Sequence, residues 1–233
     1  MPTSCFKSVQ GLCLRVTRLD ECCRVVTGDC AFVTSDSFIT LNLTAELEEP
    51  DEFIVKLANG RLCINELGTA TLKRYTVEVD ICEADPDLFE IIAGVTPVLD
   101  FAGDTVGYQI NESLGDGARF ALEFWTRVPT DQCSVTGGTQ YLYWLLPCVQ
   151  NGRIGDVTVE NGPLTFSFTA EAVPSGTWDV GPFDVVASDA GGTPSPLLTA
   201  IPADTALHVQ LTTIAPPCAD DDACGCQALP IAP

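Results

Sequence analysis

Between Thr71 and Cys82, apolar Tyr75, Val77, Val79 and Ile81 alternate with Thr76, Glu78 and Asp80. This two-residue period predicts a strand wetted on one face. The period then changes abruptly. Asp85 is placed to cap the free amides of a helix, Pro86 suits its first position, Asp87 adds negative charge to the first turn, and Gly94 suits its end. A short helix over about residues 85–93 is expected, with Leu88, Phe89, Ile91 and Ile92 forming its apolar side. No other segment carries helix signals of this clarity.

The rest of the chain reads as strands and turns. Ile39, Leu41, Leu43, Ala45 and Leu47 alternate with Thr40, Asn42, Thr44, Glu46 and Glu48, which predicts a long strand from Ser37 to Glu48. A turn at Glu49-Pro50-Asp51 leads to Phe53–Leu57, and Asn59-Gly60 is a strong hairpin signal before Arg61–Ile64. Leu14 to Asp36 holds short β-favouring runs broken at Gly28-Asp29, and Phe101 to Asn111 reads as a strand interrupted by glycines. Ala118 to Val128 sets Phe120, Leu122 and Phe124 against Arg119, Glu123 and Trp125. Tyr141 to Val149 is apolar on both parities, as expected of a strand covered on both faces or lying against a partner chain.

Asn151-Gly152 and Asn161-Gly162 predict tight turns around a strand at Ile154 to Glu160. Leu164 to Val173 then sets Phe166, Phe168, Ala170 and Ala172 against Ser167, Thr169 and Glu171. Glycine and proline break Ala187 to Pro202 into a loop, and Ala206 to Ile214 is the last expected strand. The fold class that follows is all-β with one short helix, an antiparallel sandwich or barrel-like architecture. Residues 1–214 form one domain without internal repeats. Residues 215–233, rich in Cys, Asp and Pro, form a C-terminal extension too polar to belong to the core, in which a local disulfide is expected.

Charge narrows the function. The 233 residues carry 32 acidic against 11 basic side chains, a formal net charge of −21 with a single His. Such a field repels nucleic acid and anionic membranes, and no basic patch offsets it. The first residues lack a signal-like apolar run and no later stretch reaches membrane length, so synthesis in a cytoplasm is expected. The twelve cysteines sit uneasily with that: Cys5, Cys13, Cys22, Cys23, Cys30, Cys63, Cys82, Cys133, Cys148, Cys218, Cys224 and Cys226. Their even number suits disulfides, which a reducing compartment disfavours. A particle assembled inside a cell and released by lysis satisfies both facts. Vicinal Cys22 and Cys23 are poorly placed to bond each other, so each is expected to bond elsewhere.

Catalytic and metal chemistry find little support, and no catalytic residue, metal or cofactor is expected. Cys218, Asp220, Asp221, Asp222, Cys224 and Cys226 lack the spacing of a metal site and have no His beside them. His208 lies on the polar parity of a strand beside Gln210, where a half-exposed structural role fits better than general-base work. There is no nucleophile elbow, phosphate loop or dinucleotide fingerprint. Asn42-Leu-Thr44 and Asn111-Glu-Ser113 match glycosylation acceptors, which matter only on a secretory route, and the Gly-Asp-Gly and Asp-Asp-Asp loops lack calcium-loop spacing.

The polar strand faces say more. Thr40, Asn42, Thr44, Glu46 and Glu48, then Thr76, Glu78 and Asp80, then Ser167, Thr169 and Glu171 are hydroxylic, amide or acidic, with almost no Lys or Arg. Solvent faces usually mix both signs. A wall of acids and hydroxyls is what a channel passing DNA requires, because like charge keeps the polyanion from sticking.

Three blocks carry a family resemblance: RVTRLDECCRVVTG from Arg15 to Gly28; VDICEADPDLFEIIAG from Val79 to Gly94; and LEFWTRVP from Leu122, continuing through YWLLP from Tyr143, NGRIGD from Asn151 and GTWDVGP from Gly176. In this order they resemble the major tail tube protein of long-tailed bacteriophages of actinobacteria. The resemblance implies a β-sandwich-like subunit with a flanking helix. Its hexameric rings share an inner barrel and stack on the tape-measure protein, beside other tail proteins, into a virion tail tube that DNA crosses transiently, with no membrane partner. It places Thr40, Asn42, Thr44, Glu46, Glu48, Ser167, Thr169 and Glu171 at the lumen. Inter-ring contacts fall to loops such as Glu48–Glu52 and to the termini, where cysteines would cross-link rings after release. The competing reading is a secreted or surface binding module stapled by disulfides, carbohydrate-binding or adhesin-like, which needs an exposed aromatic platform from Trp125, Trp144 or Trp178. An enzyme ranks third.

Overall fold

The alternating runs resolve into a nine-stranded antiparallel sheet with a helix on one face and an irregular layer on the other. A computed structural model describes residues 7–111, 118–129, 139–155, 164–219 and 225–230. Its elements are β1 (Gln10–Leu19), β2 (Gly28–Ser35), β3 (Phe38–Glu48), β4 (Glu52–Lys56), β5 (Leu62–Leu67), β6 (Thr71–Ile81), α1 (Pro86–Ala93), β7 (Thr96–Leu99), β8 (Thr105–Gln109), β9 (Arg119–Arg127), β10 (Tyr141–Ile154), β11 (Phe166–Ala172), β12 (Val186–Ala187), β13 (Pro194–Ser195), β14 (His208–Thr212) and β15 (Gln227–Leu229). The main sheet runs β15-β2-β1-β9-β10-β11-β6-β3, with β14 also beside β10. The pairs β4–β5, β7–β8 and β12–β13 stand apart from it.

Strand β10 serves two partners along one edge. Tyr141–Leu145 pair with β14, and Val149–Ile154 pair with β11. The changeover falls at Pro147-Cys148, where the register with β9 also slips. Proline has no amide to give a ladder, so it suits the point where one partner strand yields to the next.

Helix α1 forms as its sequence dictates. Asp85 accepts the Asp87 amide at 2.9 Å, Pro86 opens the helix, and Gly94 closes it in the left-handed conformation at φ 61°. Leu88, Phe89, Ile91 and Ile92 pack on Leu14, Val16, Val79, Ile81, Phe120, Leu122 and Phe168. On the sheet's other face, Trp178, Val185, Val186, Leu197 and Ile201 cover Trp125, Tyr143 and Leu145. Strands β1, β9 and β10 are therefore buried on both faces, which accounts for the apolar run at Tyr141–Val149. It also corrects the expected polar side of Ala118–Val128, because Glu123 and Trp125 lie under the irregular layer.

Asn59-Gly60 makes its hairpin, with Gly60 at φ 83°. Asn151-Gly152 does not make a turn. Strand β10 runs through it with a register shift between Gln150 and Arg153, and a Cβ on Gly152 would stand 2.0 Å from the Ile92 carbonyl oxygen. The glycine admits the end of the helix against the strand rather than reversing the chain. Of the expected strand at Ile154–Glu160, Ile154 is the last residue of β10, and residues 156–160 lie outside the described residues together with Asn161-Gly162. Between Phe101 and Asn111 the strand begins only at Thr105, and it pairs with an unforeseen β7. Two short strands, β12 and β13, interrupt the region expected to be loop.

The C-terminal stretch, expected to stand off the core, is tied to it. Residues 217–219 form a single turn of 3-10 helix and β15 pairs with β2, Leu229 lying buried there. Cys218 bonds Cys13 and Cys226 bonds Cys30, so the expected local bridge does not involve these two. A third bond joins Cys23 to Cys148. Of the vicinal pair only Cys23 is bonded, and Cys22, Cys63 and Cys82 are free and exposed. Cys5, Cys133 and Cys224 lie outside the described residues.

Candidate assembly surface

The three polar strand faces expected from the sequence meet in one sheet. Cross-strand partners share a face, and the register aligns Thr40 with Asp80 and Ser167. Asn42 aligns with Glu78 and Thr169, and Thr44 with Thr76 and Glu171. The face continues onto β10 at Arg153, opposite Thr169. Across β3, β6 and β11 only the opposite, apolar side packs against the core with α1.

Two irregularities mark the β3–β6 pairing, and one of them, in β3, adjusts the expected set. The register slips between Phe38 and Thr40, so Phe38 faces the core with Ile81 and Ile39 is left 54% exposed. It slips again between Glu46 and Leu47, but here the extra residue is Lys73 of β6, so β3 keeps its alternation and Glu48, opposite Thr71, stays on the side of Glu46. Glu48 therefore keeps the side that its parity predicts, because an extra residue reverses only the strand that carries it.

Hydrogen bonds fix this face. Thr40 Oγ1 donates to Asp80 at 2.6 Å, and Thr76 Oγ1 donates to Glu46 at 2.8 Å. Arg74 bridges two acids, meeting Glu46 at 2.7 Å and Glu171 at 3.1 Å, while Asn151 Nδ2 donates to Glu171 at 2.9 Å. The Thr76 hydroxyl, and next the Arg74 guanidinium, hold the Glu46 carboxyl below its ordinary value of 4.5. Arg74 and Arg153 are basic residues that the strand pattern had not brought forward. They leave Glu78 and Asp80 as acids of this face with no arginine on them among the described ion pairs.

Two further features adjoin the face. Strand β3 ends the sheet, so one edge of its eleven residues has no strand partner among those described. Beyond it the β4–β5 hairpin stands out from the body with every residue of both strands exposed. Phe53, Ile54, Val55, Leu57, Leu62, Ile64 and Leu67 are open to solvent, Leu67 at 69% and Phe53 at 64%. An apolar surface of this kind, joined in the chain to an open-edged strand, marks an interaction site or an aggregation liability. Its signal was in the sequence, in apolar residues on both parities from Phe53 to Leu57.

The alternative chemistries gain no geometry. His208 Nε2 lies 3.1 Å from Gln210 Oε1, and the imidazole stands edge-on to Tyr143. Trp125 and Trp178 are buried, and Trp144 is stacked on Phe124 at 5.3 Å, so the indoles make no exposed platform. Cys218 and Cys226 are consumed in separate disulfides. Among the described residues no three His, Cys, Asp or Glu side chains gather as metal ligands, and no helix is long and apolar enough to cross a membrane. A buried charge cluster escaped the sequence analysis. Arg15 donates twice to Glu123, at 2.6 Å each, and the Tyr143 hydroxyl donates to the same carboxylate at 2.6 Å. The guanidinium lies 3.5 Å from the Phe183 ring centre and 5.1 Å from that of Trp125. Closed in on every side, the cluster locks the two-sided centre of the sheet.

No protein-family model matches the chain, and no curated protein matches it either.

Proposed function

We propose that this chain is a structural virion protein whose hexameric rings stack into the tail tube of a long-tailed phage. The observation that carries this reading is the conjunction of an open strand edge at β3, an acidic and hydroxylic face exposed on β3, β6 and β11, and an exposed apolar hairpin that the chain inserts between β3 and β6. In a monomer this combination is a hazard. In a ring, each β3 edge pairs with a neighbouring copy, the polar face becomes the wall of the bore, and the hairpin is buried against an adjacent subunit. Carboxylates and hydroxyls along the bore give passing DNA nothing to bind.

The three disulfides among the described residues favour a second reading, a binding module working in an oxidising compartment. The buried indoles weigh against its carbohydrate-binding form. Sedimentation velocity on the full chain and on a Phe53→Asp/Leu67→Asp variant separates the two. Large assemblies abolished by the substitutions support the tube; a monomer in both cases supports the binding module.

A further inference from the structure

The C-terminal residues 225–230 lie along the outer edge of β2, at the opposite end of the sheet from β3. Their non-covalent hold is short in length: Leu229 is buried against β2 and Gln227 Nε2 donates to Thr34 Oγ1 at 3.4 Å. β15 is three residues long and pairs with β2 at Gln227 opposite Phe32 and Leu229 opposite Gly28, with a register slip between them. The amides of Gly225 and Cys226 donate to Asp85 and Asp87 at the start of α1, at 2.8 Å and 3.0 Å. The Cys30–Cys226 bond is what closes this strap.

That bond differs from its counterpart in the core. Cys148 is fully buried and Cys23 is 4% exposed, so a small thiol has no approach to their bond. Cys30 and Cys226 are both only half-buried. Arg18 Nη2 lies 3.9 Å from Cys30 Sγ, while the same guanidinium nitrogen holds Glu90 at 2.8 Å. A cation beside a sulfur stabilises it as a departing thiolate. Cys30 sits at φ 54° and Cys23 at 59°, both left-handed, so backbone strain is common to the two bonds and accessibility is what separates them. Arg119 approaches Cys23 in the same way at 3.5 Å, but there the sulfur is sealed off.

We infer that Cys30–Cys226 is a redox-responsive clasp: closed in an oxidising medium, where the C-terminal strand caps the β2 edge, and open in a reducing one, where that edge is bare. The exchange runs through a small thiol such as glutathione. Its thiolate attacks Cys226 Sγ, the Cys30–Cys226 bond breaks, and the electron pair leaves on Cys30 Sγ beside Arg18. A second small thiolate attacks the mixed disulfide on its small-molecule sulfur. This releases the small-molecule disulfide and leaves the Cys226 thiolate; two small thiols are oxidised, and their two protons account for the two protein thiols formed. The clasp does not depend on how copies of the chain assemble.

The test incubates the full chain in buffers of stepped reduced-to-oxidised glutathione ratio, alkylates free thiols, maps them by mass spectrometry and follows amide exchange. Cys30 and Cys226 are expected to become alkylated at ratios that leave Cys23–Cys148 intact, with the amides of residues 225–229 losing protection while β1, β9 and β10 keep theirs. An Arg18→Met variant should reduce about 3-fold more slowly, whereas Glu90→Gln, which leaves Arg18 in place, should not slow. Joint reduction of both bonds, protection at 225–229 that survives cleavage, or an Arg18→Met rate equal to the unaltered chain would each overturn the assignment. A Cys226→Ser variant in oxidising buffer gives an independent check, because it should expose the same amides without any reductant.

Discussion

Glu123 and Arg15 face each other across β9 and β1 in register, joined by two 2.6 Å hydrogen bonds with side-chain exposures of 0% and 6%. Charges this deep persist only when each satisfies the other, so removing one is worse than removing both. Glu123→Leu should cost about 3–5 kcal/mol by leaving the guanidinium unpaired. The double variant Arg15→Met/Glu123→Leu should be less destabilised than Glu123→Leu alone, as read by chemical denaturation. A double variant as unstable as the sum of the two singles would refute the pairing argument.

Tyr143 gives the same cluster a pH signature. Burial, and next the negative charge of Glu123, raise its hydroxyl well above the ordinary value of 10.0. Above pH 10 the unfolded chain has lost this proton while the folded chain keeps it. The stabilisation is therefore present in full below about pH 10 and declines as pH climbs from there toward the folded value. Ultraviolet titration should find one tyrosine that ionises only with unfolding, absent from Tyr143→Phe.

At Gly152 the helix and β10 come too close for any side chain. Gly152→Ala places a Cβ against the Ile92 carbonyl, and should cost about 1–3 kcal/mol through overpacking. Thermal unfolding checks this. A variant that loses nothing would return Asn151-Gly152 to an ordinary exposed loop.

On the polar face, Glu46 is the acid whose titration is most plainly displaced. Its carboxyl is depressed, so the fold gains from it at pH values above the unfolded value near 4.5, and the gain disappears as pH falls through the folded value. Carboxyl resonances should titrate low for Glu46 in the intact chain. In Thr76→Val, which removes the first of its two donors, the midpoint should rise toward the ordinary range. An unmoved midpoint would mean that Thr76 Oγ1 does not donate to it.

Much of this architecture was written in local periodicity. The cap, first residue and final glycine of α1 are each a local device, and all three are realised at Asp85, Pro86 and Gly94. The rows of Thr40, Asn42, Thr44, Glu46, Ser167, Thr169 and Glu171 could be read because a strand's alternation survives into the sheet. What escaped depends on distant partners. Ile39 was turned out to solvent by a bulge in β3 that no residue pattern announces. Glu123 looked like a solvent-facing acid because its cover comes from residues 178–201, and Asn151-Gly152 looked like a turn because the helix that requires its glycine lies some sixty residues earlier. The disulfides are long-range by nature, joining residues up to 205 apart.

The central claim is that copies of this chain close around a bore walled by β3, β6 and β11. Electron cryomicroscopy of the concentrated full chain tests it most directly. The account predicts hollow stacked rings in which Glu78, Asp80 and Thr169 line the channel and the hairpin carrying Phe53 and Leu67 is buried between subunits. Isolated monomers, or a tube whose inner wall is built from another face, would contradict it.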